Sequence, residues 1–312
     1  MESEGECGGR QAGVLPIASG SESCSKKDTR RRASRHVLLT SRHVLLTEDG
    51  VRIEAEHVAF RGGGSGRGGD ADMAIVVAHG FTGALDRPAV RRVAREFAHF
   101  AGVIIFSFRG HGGSGGRSTV GDREVLDLDA AVRWARQLGY ERVVTVGFSM
   151  GGSVVVRHAA AGGDVSERAG RGGCEGRTGA WAGARTDAVV AVSAPARWYY
   201  RGTAPMRRLH WIVTRPMGRA ISRYGLRTRI RPQEWDPVPL SPVESAPLIA
   251  PTPLLIVHGD RDEYFPLDHP LSLARAAGET AEVWIERGFG HAENAADPEL
   301  LRRIAAWAIS RP

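Results

Sequence analysis

The stretch Val143-Val144-Thr145-Val146-Gly147-Phe148-Ser149-Met150-Gly151-Gly152-Ser153-Val154-Val155-Val156 constrains this chain more than any other. An apolar β-branched run too short for a helix breaks at a Gly-x-Ser-x-Gly and resumes as a helix-length segment of small residues, which spells strand, sharp turn and helix. Gly147 and Gly151 remove side chains where the backbone must crowd close. The residue between them is then strained, and the strain pushes the Ser149 hydroxyl into the open. The following Met150 N–H stands at a helix start, where the dipole favours negative charge forming beside that oxygen. With 40 glycines in the chain the pattern alone is only moderately specific. Its strand-before, helix-after setting makes it strong.

The same alternation runs on both sides of that turn. Residues 1–33 are rich in Gly, Ser, Glu and Arg without periodicity, so the chain to residue 36 is expected to be a disordered tail. A direct repeat follows, Ser34–Thr40 and then Ser41–Thr47, of which only the second copy is expected to form a strand. With Glu48-Asp49-Gly50 as the turn, it pairs with Val51–Phe60 as an antiparallel hairpin. After the Gly-rich loop Arg61–Asp70, buried strands are predicted at Ala74–Ala78, Val103–Phe108 and Pro253–His258, and further strands at Ala188–Ser193 and Ala281–Ile285. Helices are predicted at Pro88–Phe100, Arg123–Leu138, Leu267–Ala277 and Glu299–Ser310. The second of these turns Val125, Leu128, Val132, Ala135 and Leu138 inward, leaving Asp127 and Asp129 on a solvated face. Strands alternating with helices give an α/β fold, a mainly parallel doubly wound sheet covered on both faces. The expected core is 37–195 with 251–312, interrupted at 162–186 by a flexible Gly/Arg-rich insertion.

Charge and cysteine content bound the partners. The net charge is +7, but residues 196–236 hold ten arginines against Glu234 and Asp236, a local +8 that leaves 7 − 8 = −1 elsewhere. No nucleic-acid partner is expected from basicity confined to one segment. Cys7, Cys24 and Cys174 lack the spacing of a disulfide framework or a metal site. No run of about 18 apolar residues occurs, and the N-terminus lacks the order of a secretory signal, so a cytoplasmic location is expected.

A serine hydroxyl is a weak nucleophile and needs a base, and the base needs an acceptor to hold it. After the strand ending near Val257 stands His258-Gly259-Asp260-Arg261-Asp262-Glu263, and after the strand ending at Ile285 stands Gly288-Phe289-Gly290-His291. The order is Ser, Asp, His. With His-Gly-Phe-Thr-Gly at 79–83 and Arg-Gly-His-Gly-Gly-Ser at 109–114, the chain resembles the α/β-hydrolase superfamily in its serine-hydrolase branch, over roughly Arg42 to Arg311. The resemblance implies Ser149 as nucleophile, His291 as general base and acid, Asp262 as its orienting acid, and the N–H groups of Phe81 and Met150 as the oxyanion hole. Asp260 and Glu263 are rival acids, disfavoured by the family's Gly-x-x-Asp spacing from Gly259. His79, His111 and His258 occupy positions where relatives pack or hydrogen-bond a loop histidine, so no metal and no cofactor is implied. Thr82 and Ser114 read as turn residues. Relatives usually carry Asp where Ser107 stands, which should weaken a structural hydrogen bond.

In this fold, an insertion after the strand ending at Ser193 forms a cap, here residues 196–250. Met206, Leu209, Val213 and Ile221 recur at helical spacing around a break at Pro216. His79, Trp198, Tyr199, Met206 and Trp211 are the candidate substrate-binding residues. The expected activity is hydrolysis of a carboxylic ester, of medium or long acyl chain or lipid-like, with a thioesterase or peracid-forming relative as the alternative enzyme. A non-catalytic small-molecule binding protein on the same scaffold is the rival of another class. The arginines of the cap suit either a solvated outer face or peripheral contact with a membrane surface.

Overall fold

The computed structural model describes residues 40–62, 70–162 and 184–311. The expected tail at 1–36, nearly all of the 162–186 insertion and all three cysteines lie outside the described residues.

Eight strands make one sheet: β1 (Thr40–Leu46), β2 (Arg52–Val58), β3 (Met73–Ala78), β4 (Gly102–Phe106), β5 (Arg142–Phe148), β6 (Ala188–Val192), β7 (Leu254–Gly259) and β8 (Ala281–Glu286). Their order is β1-β2-β4-β3-β5-β6-β7-β8. The second copy of the heptapeptide does form β1, which closes an antiparallel hairpin with β2 across a turn at Gly50, φ +77°. Strand β2 joins β4 antiparallel, and every pairing from β4 to β8 is parallel.

Every residue of β3 is buried, and its alternation divides the core in two. Ala74, Val76 and Ala78 pack with Leu128 and Val132 of α2 (Glu124–Gln137), Val154 of α3 (Met150–Gly162) and Leu273 of α7 (Asp268–Ala277). Ile75 and Val77 pack on the other face with Val90, Val93 and Phe97 of α1 (Pro88–Phe97) and Leu301 and Ile304 of α9 (Pro298–Ile309). From β3 the chain crosses to β4 on one side, then returns to β5 on the other. That reversal opens a crevice at the carboxyl ends of β3 and β5, where such sheets place their sites.

The insertion at 196–250 contains α4 (Ala204–Thr214), α5 (Pro216–Tyr224) and the short α6 (Pro242–Ser245). Pro216 is the first residue of α5, as its missing N–H favours. The two helices cross closely at Gly218, where a Cβ would lie 2.6 Å from the Ile212 Cα. Met206 is buried, and Leu209, Ile212 and Val213 pack against the core.

Two expectations for α2 are corrected. Leu138, placed inward, is 43% exposed because α2 has already ended. Asp127 and Asp129, placed on a solvated face, are buried. Asp127 stands one position before Leu128 and shares the inward face with Glu124 one turn earlier. It accepts from the Arg109 N–H (2.8 Å), Nε (2.9 Å) and Nη2 (2.8 Å), while Arg109 also reaches Asp49. Burial opposes the Arg109 charge, but the hydrogen bonds and charges of Asp49 and Asp127 outweigh it and hold its pKa above the ordinary value. Glu124 gathers Ser118, Thr119 and Gly121 in the same way. Asp129 accepts from the Ala184 N–H and from Arg133. These carboxylates therefore anchor the loops beside the sheet.

Ser107 shows a further departure. Its buried hydroxyl accepts from the Leu85 N–H (3.0 Å) and donates to Glu54 (2.7 Å), which also accepts from the Gly113 N–H (2.8 Å). Glu54 of β2 thus brings a carboxylate to the Ser107 hydroxyl.

Asp127→Ala leaves the Arg109 guanidinium with Asp49 but strips the buried Arg109 N–H of its acceptor. The unfolding free energy is expected to fall by about 1–3 kcal/mol in urea titration. Asp49 gives a pH signature. Burial would raise it, yet hydrogen bonds from Arg109 and Thr47 bring its pKa down to about 2 from 3.8. The stability it adds is full above the unfolded value and is lost as pH falls toward the folded one. Thermal melts of Asp49→Asn should show a shallower decline than the parent between pH 3.8 and about 2.

Candidate active site

At the end of β5 the backbone turns directly into α3, and Ser149 takes φ +52°. A side chain at Gly147 would put its Cβ 2.2 Å from the Gly151 carbonyl oxygen, and one at Gly151 would lie 2.1 Å from that of Ala78. Only glycine lets strand, helix and β3 close to this distance, and the closure holds Ser149 in its left-handed conformation. The Ser149 N–H donates to the Val192 carbonyl of β6 at 2.9 Å, fixing the turn to the next strand.

The sheet brings two distant loops to that hydroxyl. His291 Nε2 stands 2.9 Å from Ser149 Oγ, and its Nδ1 stands 2.8 Å from Asp262 Oδ2. Asp262 is fixed by its own turn, accepting at Oδ1 from the N–H groups of Tyr264 (2.8 Å) and Phe265 (3.1 Å). Burial works against its charge, but the His291 hydrogen bond and charge prevail and hold its pKa below the usual carboxylate value. The rival acids are elsewhere: Asp260 accepts from the Gly288 N–H at 2.6 Å, and Glu263 is exposed. An ionised carboxylate behind the imidazole selects the tautomer with hydrogen on Nδ1, leaving Nε2 free to take the serine proton. The imidazole also stacks on Tyr264, with centroids 4.2 Å apart and planes 25° apart.

The loop after β3 lies against the serine. A Cβ on Gly80 would be 3.5 Å from the Ser149 Cβ. The N–H groups of Phe81 and Met150 both lack an acceptor among the described residues. His79, one of the candidate substrate contacts, is instead fully buried. Its Nδ1 donates to the Gly80 carbonyl (2.7 Å) and its Nε2 accepts from the Phe108 N–H (3.0 Å). Burial, aided by neighbouring His111, pushes its pKa down to about 3, so it stays neutral. Both nitrogens are used within the protein, and His79 holds the loop rather than a ligand. His111 donates from Nε2 to the Phe81 carbonyl at 2.5 Å, and His258 donates to the Phe265 carbonyl at 2.8 Å.

Three residues that the sequence reading passed over complete the frame. Ser193, at φ +50°, accepts the Ala292 N–H at 3.1 Å and so fastens the His291 loop to β6. Tyr264 supplies the stacking face already described. Glu293, in the one-turn helix α8 (Ala292–Ala295), accepts the Gly80 N–H at 3.0 Å, tying the loop after β3 to the loop of His291. Its carboxyl is buried and pushed upward in pKa by that burial. Its place two residues after His291 was the available signal.

The remaining candidates lie in the 196–250 segment. The Trp198 indole donates to the Pro239 carbonyl (2.9 Å) and packs on Trp235, as does Tyr199, which is 55% exposed. Trp235 in turn donates to the Thr119 carbonyl (2.7 Å), so this cluster fastens the segment to the core. Trp211 is 44% exposed, in a recess shared with Arg207, Arg208, Ile212 and Ile221 rather than with the triad. Met206 is buried near the start of α4, where Thr203 donates to the Tyr264 carbonyl at 2.9 Å. The first turn of α4 is thereby attached to the turn that carries Asp262.

Solved structures share this architecture. The esterase Pf2001 of Pyrococcus furiosus matches with a TM-score of 0.62 at 20% identity, over 88% of this chain and 93% of its own. The alpha/beta hydrolase GrgF from Penicillium sp. sh18 matches at 0.63 and 19% identity, over 88% and 99%. A Xanthomonas campestris a/b serine hydrolase without lid, XC6422, matches at 0.53 and 16%, over 86% and 93%. No curated protein matches in sequence. The sequence profile of the Alpha/beta hydrolase family matches residues 75–304, from β3 into α9 and across every loop of the site. With that match over most of its length, the chain belongs to the alpha/beta hydrolase family.

Proposed function

We propose that the protein is a serine hydrolase that cleaves carboxylic esters through an acyl-enzyme. The observation that carries the reading is the unbroken hydrogen-bond chain from Ser149 Oγ through His291 to Asp262. As Ser149 Oγ attacks the ester carbonyl carbon, its proton passes to His291 Nε2. The carbonyl oxygen becomes an oxyanion that accepts from the N–H groups of Phe81 and Met150, which have no other acceptor among the described residues. Collapse breaks the bond to the alcohol, which leaves with the proton from His291. Water then gives a proton to His291 and attacks the acyl carbon, and the acid departs as Ser149 regains its hydrogen. Asp262 stabilises the imidazolium in both halves without accepting its proton.

The acyl chain, of medium or greater length, is proposed to lie beside the start of α4. Support comes from Thr203, which joins the start of α4, next to the buried Met206, to the Tyr264 turn behind His291. In this reading, residues 196–250 act as the cap.

Hydrolysis of p-nitrophenyl esters of increasing acyl length tests both points. Ser149→Ala should lose about 10⁴-fold or more in kcat, and Asp262→Asn about 10⁴-fold through the wrong tautomer. Turnover that survives Ser149→Ala would refute the mechanism, whereas a peak at the shortest esters would refute only the acyl-length assignment. Glu293→Ala frees the loop that carries the proposed oxyanion donor at Phe81, so kcat should fall by up to about 10²-fold with little change in KM. Glu293→Gln keeps an acceptor for Gly80 and should restore most of the rate.

A further inference from the structure

A cleft of about 450 Å³ lies between α5, the loop at Gly116 and Arg117, and the extended segment at Arg229 and Ile230. Arg117, Arg219, Arg223 and Arg229 line it, and no acidic residue does. Elsewhere Arg109, Arg157 and Arg197 each meet an aspartate. Among the described residues these four arginines form no ion pair with a carboxylate.

Neutral groups hold two of them in place. Arg219 donates from Nη1 to the carbonyls of Thr214 (2.9 Å) and Val213 (3.3 Å) at the end of α4, and Arg229 donates to the Ser114 carbonyl. The other two, Arg117 and Arg223, are exposed, and the Arg223 guanidinium sits 5.5 Å from the ring centroid of Tyr224 at the rim. Arg219 and Arg223 are one helical turn apart, where like charges weaken a helix. The backbone wall behind them is rigid: the Arg229 N–H donates to the Gly110 carbonyl (2.8 Å), and the Ser118 N–H donates to the Arg229 carbonyl (2.7 Å). Four uncompensated positive charges are thus presented to one concave space on a fixed frame. Planar guanidinium groups match the oxygens of phosphate in paired hydrogen bonds, and a dianion would relieve their mutual repulsion.

We propose that this cleft is a binding site for the phosphate group of a phosphorylated ligand. The inference does not depend on the reading of the triad, and it is tested on the full chain carrying Ser149→Ala as well as on the parent. Isothermal titration with inorganic pyrophosphate at low ionic strength should show saturable binding that weakens as salt is added. Arg117→Gln and Arg223→Gln should each weaken it about tenfold, the value of one charge-assisted contact. Both side chains are exposed, so unchanged melting temperatures without pyrophosphate will confirm that the variants fold. Arg275→Gln, on α7, should leave binding intact.

Co-sedimentation distinguishes the source of the phosphate. Capture by phosphatidylglycerol vesicles but not phosphatidylcholine vesicles, lost in Arg117→Gln/Arg223→Gln and in Ile221→Ser, identifies a lipid headgroup met by the exposed Trp211, Met217 and Ile221 of the same helices. Pyrophosphate binding without vesicle capture identifies a soluble phosphorylated molecule. The proposal is overturned if neither probe binds, or if binding is indifferent to Arg117 and Arg223.

Discussion

The close approach of three backbones at the end of β5 is the constraint on which the site depends. Gly147, Gly151 and Ala78 come so near that no Cβ fits at either glycine. That closure forces the chain from strand to helix without a loop and leaves Ser149 at φ +52°. A β-branched or bulky residue would resist such a conformation, while a small polar one tolerates it when the surroundings over-determine it.

Around this point the protein separates its titratable groups by environment. His79, His111 and His258 are buried, with pKa values lowered chiefly by that burial, and serve as hydrogen-bonding struts under the loops. Asp262 keeps its charge because two backbone N–H groups and His291 converge on it. Carboxylates farther out, at Glu54, Glu124 and Asp127, do for the loops what secondary structure does for the strands: each gathers backbone N–H groups that would otherwise be unsatisfied. The cleft beside α5 is different in kind, since its four arginines form no ion pair with a carboxylate among the described residues.

Much of this was legible in sequence because it rests on local rules. Strand and helix extents follow from side-chain periodicity, and they held to within a few residues; α1 ran short of Phe100 and β4 short of Phe108. Ser149, Asp262 and His291 each sit in a short motif after a strand of the parallel part of the sheet, so their meeting follows once the sheet is parallel. What failed were judgements about which way a side chain faces, Leu138 among them. His79 reads both as a packed loop histidine and as a candidate substrate contact, and only the packing of Phe108 and His111 around it shows that both its nitrogens are engaged within the protein. Asp127 and Asp129 read as solvated, their partners lying 18 residues back at Arg109 and 55 residues ahead at Ala184.

The amino-acid sequence by itself determined the α/β alternation, the glycine-framed turn and the order Ser, Asp, His, because these depend on spacing along the chain and on backbone sterics. Tertiary structure alone decided the rest. It brought Glu293 to Gly80, 213 residues away, Glu54 to Ser107, and four arginines from three segments to one cleft. Such contacts are set by how sheet, helices and loops fill space together, and no local periodicity encodes the partner of a buried charge.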